Sequence, residues 1–201
     1  MSNSVNEILI IGLGLIGASI AKASKEKGII VHGYDIKKSV IKTAIEDNVI
    51  DQSIDSIEGL NNKSLIDKID LVIISVSPKA TQEIINQIPN LMNTKITITD
   101  TSSVKNHLKI SSISNFILSH PIAGSDKSGI ASLDQTLFEN KKTIICNPNN
   151  VEDVHLKKLT DFWKYAMQMR VSEMSVKEHD LLFAMTSHLP HLISYALIDS
   201  I

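Results

Sequence analysis

Apolar positions along this chain follow two rhythms in turn. Residues 8–11, 29–34, 71–75, 96–99, 116–119 and 142–146 are short runs of β-branched and aliphatic side chains, the length of strands buried on both faces. Between them apolar residues recur at helical spacing: Ile16, Ile20, Ala21 and Ala23 after the first run, then Val40, Ile41, Ala44 and Ile45 after the second. Further helices are predicted at 79–87 behind Pro78, from Val104 behind the capping residues Thr101, Ser102 and Ser103, and at 151–165 through Val154, Leu156, Leu159, Phe162 and Trp163. Residues 49–69 hold a short strand and a helix without clear bounds, and 169–171 read as an edge strand. Strand and helix in alternation predict an α/β fold, a Rossmann-type doubly wound sheet that is mostly parallel. At Ser175 the rhythm changes. Ser175 to Glu178 form a capping box, and helical periodicity then runs on, interrupted by Pro190, with no further strand. The chain therefore divides into a sheet domain, residues 1–173, and the first helices, residues 174–201, of an all-helical domain that is cut short. Leu189, Leu192, Ile193, Leu197 and Ile201 give those helices an apolar face suited to a second copy of the chain, hence a homodimer.

The first strand-to-helix passage carries the sharpest signal. Gly12, Gly14 and Gly17 stand in G-x-G-x-x-G spacing, with Leu15 and Ile16 opening the helix between them. Such glycines allow a tight turn, close approach of backbone to a pyrophosphate, and close packing of helix on strand, with the diphosphate on free N–H groups at the helix start. Asp35 ends the second strand about 20 residues further on, where an acid meets the adenosine ribose. A carboxylate there repels a 2′-phosphate, so the expected cofactor is NAD. Ser75, Ser77 and Pro78 fall at the end of the 71–75 run, at the edge where such sheets bind their ligands, and join the cofactor-binding set together with Ser103.

Composition narrows the field. The 201 residues are 43% hydrophobic and 21% charged, as in ordinary globular domains. A net charge of −2, without charged tails, argues against a nucleic-acid partner. The apolar run from Ile8 to Ala21 lacks a basic leader, is too short to span a bilayer and holds the glycine motif, so the expectation is a cytoplasmic protein with no membrane partner. The single cysteine, Cys146, reads as a buried strand thiol. His188 and His191, at i and i+3, could share a helix face as a metal pair, but no third ligand is evident and no metal is expected.

His120, at the end of the 116–119 run, lies on the same predicted rim as the glycine motif. A dehydrogenase that oxidises an alcohol needs a group to receive the hydroxyl proton, and a neutral imidazole suits that role. The motifs GLGLIGAS at 12–19, GYD at 33–35, DTSSVK at 100–105, SHPIAGSDKSG at 119–129 and SHLPH at 187–191 resemble the prephenate and arogenate dehydrogenases of tyrosine biosynthesis, across nearly the whole chain. The resemblance implies NAD-dependent oxidative decarboxylation of prephenate to 4-hydroxyphenylpyruvate, with arogenate as the alternative substrate. It implies His120 and Ser103 as catalytic residues, Ser103 holding His120 and substrate in register. Gly124, Ser125, Asp126, His188 and His191 would face the substrate. Two features depart from the family pattern. Ser125-Asp126 puts a shorter acid where a glutamate is usual. The chain's one arginine, Arg170, precedes the helical segment that should supply a carboxylate clamp, leaving Lys105 or Lys127 as poorer substitutes. Another Rossmann reductase, such as a 3-hydroxyacid dehydrogenase or imine reductase, and a non-catalytic NAD-sensing module are the competing readings.

Overall fold

A computed structural model of the chain describes residues 5–57, 60, 63–92, 94–111 and 113–199. Its eight strands form one sheet in the order β3-β2-β1-β4-β5-β6-β7-β8. In chain order the elements are β1 (Glu7–Ile11), α1 (Leu15–Lys25), β2 (Ile30–Tyr34), α2 (Lys38–Glu46), β3 (Gln52–Ser53), α3 (Lys63–Ile66), β4 (Leu71–Ile74), α4 (Pro78–Gln87) and β5 (Thr97–Asp100). They continue with β6 (Phe116–Pro121), β7 (Lys142–Cys146), α5 (Asp153–Asp161), β8 (Arg170–Glu173), α6 (Val176–Phe183) and α7 (Leu189–Asp199). Neighbouring strands run parallel except β6 and β7, where His120 stands opposite Ile144. The doubly wound, mostly parallel sheet expected from the alternation is the fold observed.

The period of two along each strand sends alternate residues into two separate cores. Ile8, Ile10, Leu71, Ile73, Ile117 and Ile145 pack on one face beneath α1, Phe138 and Trp163. Leu9, Ile11, Val72, Ile74, Ile98, Phe116 and Leu118 pack on the other with Ile85 of α4. Cys146 is buried there, and burial pushes its thiol up to about 11, so it is inert.

Three expectations change. No helix begins at Val104: the N–H groups of Lys105 and Asn106, which would have opened it, donate to the Asp180 carboxylate instead. Leu108, Ile110 and Ile113 along this irregular crossover still fill the second core. β6 does not stop at Ser119 but runs on through Pro121, because β7 pairs with it from the opposite direction. Pro190 does not break the C-terminal helix. A π-turn over Ala184–His188 joins α6 to α7, so the helix is continuous from Val176 to Asp199. Ile201 of the expected apolar face lies outside the described residues, while Leu189, Leu192, Ile193 and Leu197 are all exposed.

Candidate functional site

The carboxyl edge of the sheet collects most of the residues singled out above. Gly12 leaves β1 with φ +96° and donates its N–H to the Tyr34 carbonyl at 2.8 Å. A Cβ on Gly12 would collide with the Ser75 carbonyl, and one on Gly17 with the Gly12 carbonyl, so both glycines are required by packing. Gly14 differs: a Cβ there meets nothing within 4 Å. Gly14 is the N-cap of α1 and caps with no side chain, so the opening N–H groups of Leu15, Ile16 and Gly17 have no intrahelical acceptor. An open space at an uncapped helix start is what a diphosphate fills. The Asp35 carboxylate accepts from Leu13 N–H and Lys37 N–H, both at 2.9 Å, which fixes the loop from below. Beside it a cavity of about 200 Å³ is lined by Asp35, Ile36, Ile57, Val76, Ala80 and Ile84. Glu83 and Gln87 complete its lining, and apolar walls with polar groups at the rim suit an adenosine. Ser75 accepts a hydrogen bond from Thr101 Oγ1 at 3.1 Å, and Ser77 caps α4 with Pro78 in its first turn.

The second half of the rim is built from side chains. His120 Nδ1 lies 2.9 Å from His179 Nε2, and His179 Nδ1 lies 2.8 Å from Asp180 Oδ1. The Asp180 carboxylate can only accept, so His179 Nδ1 donates to it. His179 Nε2 must then accept, and His120 Nδ1 donates. That order leaves His120 Nε2 with a free lone pair. Phe183 packs edge-on against the His120 ring at 4.6 Å between centroids. Burial, reinforced by the charge of Lys105, holds the His120 imidazole down to about 3, so it is neutral at physiological pH. Burial likewise lowers His179. The arrangement is a proton acceptor backed by a second imidazole and a carboxylate.

Not every candidate converges. Ser103 is half-buried in the bend after β5, and the Nδ1 of His120 is held by His179. His188 is half-buried and close enough to His120 to act on its charge, whereas His191 is exposed. Gly124, Ser125 and Asp126 form an exposed loop in which Ser125 bonds Asp126 at 3.0 Å. Lys105, suggested by sequence as a charge for a substrate carboxylate, is unavailable: its side chain is fully buried against Asp100. Arg170 is exposed at the start of β8 and donates to the Asn140 carbonyl. Sequence reasoning passed over His179 and Asp180. Their signal was a His-Asp pair directly behind the capping box, which sets both in the helix that the box opens.

The family model of the prephenate dehydrogenase nucleotide-binding domain matches residues 20–171. The prephenate dehydrogenase of Lactococcus lactis is 32% identical over 206 aligned residues, taking in 96% of this chain and 53% of that protein. The cyclohexadienyl dehydrogenase of Zymomonas mobilis is 31% identical, over 96% of this chain and 67% of that one. Among solved structures, prephenate dehydrogenase from Aquifex aeolicus, determined with hydroxyphenyl propionate and NAD+, superposes with a TM-score of 0.87 at 31% identity, covering 100% of this chain and 70% of that one. The chain spans about half the length of its curated relatives from Lactococcus lactis and Bacillus subtilis, 53% and 54%. With the family model lying over most of its sheet, and its fold reproduced along its whole length by a solved member, the chain belongs to the prephenate dehydrogenase family.

Proposed function

We propose that residues 1–173 form the NAD-binding domain, and residues 174–201 the first helices, of an NAD-dependent prephenate dehydrogenase acting in the cytoplasm. The observation that carries this reading is the Asp180–His179–His120 relay, which ends in an imidazole on the same sheet edge as the Gly14 cradle. Leu15, Ile16 and Gly17 would hold the diphosphate and Asp35 the ribose, while Ser75, Ser77, Pro78 and Ser103 line the way to the nicotinamide. Bound NAD supplies the hydride acceptor. His120 Nε2 takes the 4-hydroxyl proton as the C4 hydride departs. The C1–carboxylate bond breaks, its electron pair enters the ring, and the proton returns to the phenolate oxygen as carbon dioxide leaves. Aromatisation drives the step, so the protein mainly orients the ring and manages one proton. Ser103, His188, His191 and the Gly124-Ser125-Asp126 loop would surround the substrate.

Prephenate and arogenate share the ring that His120 would act on, and the Zymomonas mobilis relative is named for cyclohexadienyl substrates in general, so arogenate is the second reading. Both substrates carry carboxylates, and Arg170 is the chain's one arginine. We therefore expect the 201 residues to bind NAD and to turn over slowly. By length and composition the helix Val176–Asp199 could cross a membrane. We read its exposed apolar face as a dimer surface instead, since its N-terminal half is tied by Asp180 to the crossover between β5 and β6.

The test is NADH formation with prephenate and, separately, with arogenate, alongside NAD calorimetry and sedimentation of the same preparation. Prephenate-dependent NADH formation should fall about 10²- to 10⁴-fold in His120→Asn with NAD affinity retained, and the protein should sediment as a dimer. Undiminished turnover in that variant would sink the proposed base. NAD binding with no affinity for either substrate would favour a sensor.

A further inference from the structure

Lys105 is fully buried, and beyond lowering the His120 imidazole its side chain has been given no role so far. Its ammonium donates to Asp100 Oδ2 at 2.7 Å and to the Ser119 carbonyl at 2.6 Å. Asp100 is held in turn by the Ser102 hydroxyl, by Ser102 N–H at 3.1 Å and by Ser119 N–H at 3.3 Å. The backbone of Lys105 does separate work: its N–H donates to Asp180 Oδ1 at 3.0 Å. One residue thus grips both ends of the imidazole relay, the β6 backbone next to His120 and the carboxylate behind His179.

A buried ion pair is poor evidence of a stability role, because an apolar pair of similar volume commonly does as well. What the pair supplies here is placement and a fixed positive charge behind two imidazoles. We propose that Lys105 is a positioning residue for His120, clamping the end of β6 and the relay carboxylate into one geometry with a fixed positive charge behind both imidazoles. The groups facing this cluster are Asp100 of β5, Cys146 of β7, His179 and Asp180 of α6, and His188 of the π-turn. The lysine opposes protonation of both His120 and His179.

This inference rests on His120 being the proton acceptor, so its test needs a readout that does not depend on turnover. The double variant Asp100→Asn/Lys105→Met removes the pair without stranding a buried charge. NMR titration of its His120 ring should move upward toward the ordinary histidine value of about 6.5. In the same variant kcat should fall about 10- to 100-fold while KM changes less than about threefold, the signature of a misplaced group rather than lost binding. Lys105→Arg, which keeps the charge, should hold the low His120 titration. In the unaltered protein the Lys105 ammonium should give a nitrogen-bound proton signal protected from exchange. A folded double variant with an unchanged His120 titration would overturn the proposal, as would a freely exchanging Lys105 ammonium in the unaltered chain. If the titration moves while neither prephenate nor arogenate is oxidised, the clamp stands and the dehydrogenase reading fails.

Discussion

The two halves of the sheet's carboxyl edge are made in different ways. The nucleotide cradle at β1 consists of main-chain atoms from one short passage, and its working parts are a missing side chain at Gly14 and the bare N–H groups behind it. The proposed proton-handling end at β6 consists of side chains gathered from far apart in sequence: Asp100, Lys105, His120, His179 and Asp180. Backbone dipoles do not titrate, so the diphosphate end of the cradle keeps its positive character at any pH at which the fold survives. Buried imidazoles and a buried ammonium depend on one another's charge, so the other half is set by pH and by each of its members.

The largest effect that would sharpen this contrast is expected from Asp180→Asn. An amide at that position can donate to His179 and reverse the tautomer order along the relay, presenting a protonated Nε2 to the substrate. Steady-state kinetics should show kcat about 10²- to 10⁴-fold lower, with NAD affinity unchanged in calorimetry. Loss of NAD binding in that variant would mean the halves are not separable.

Gly14→Ala tests the cradle from the other side. The added methyl meets no protein atom and the backbone φ of −71° suits alanine, so stability should stay within about 0.5 kcal/mol. The methyl would occupy the ligand's space, and NAD affinity should fall about tenfold or more. Unchanged affinity would move the diphosphate elsewhere.

The smallest effect concerns stability and pH. An unfolded histidine protonates near about 6.5, whereas His120 resists until about 3 in the folded chain, and burial lowers His155 and His179 as well. Between those limits the unfolded chain binds more protons than the folded one, so stability is full above about pH 6.5 and declines as pH drops toward 3. Thermal melts from pH 7 to pH 5 should show a falling Tm, and His120→Asn should flatten the decline. A flat profile in the unaltered protein would break the assignment of pH sensitivity to the buried imidazoles.

The cradle was readable because its rule is local. Gly12, Gly14, Gly17 and Asp35 are brought together by spacing along the chain, and β-branched runs named the strands around them. His120 was placed for a similar reason, as the residue after a strand. What could not be read was anything fixed by a long-range partner. The residues Thr101, Ser102 and Ser103 look like a helix cap, but the acceptor that claims the following N–H groups is Asp180, 75 residues beyond Lys105. The same distance hid the role of Lys105, which by type alone belongs on the surface. The direction of β7 was equally silent, since a run of apolar residues does not say which way its strand points.

The π-turn at Ala184–His188 has a consequence for how this region tolerates change. One extra residue is threaded into the helical ladder there, and Leu189 N–H reaches back to the Ala184 carbonyl. Pro190 therefore sits just past a place where the ordinary ladder is already relaxed. Deleting a residue within that turn would be absorbed as the turn rewinds to regular geometry, whereas the same deletion in α6 would swing everything downstream by about 100° around the axis. His191 and the oily stripe of α7 would then point in new directions, although no amino acid in either had been altered.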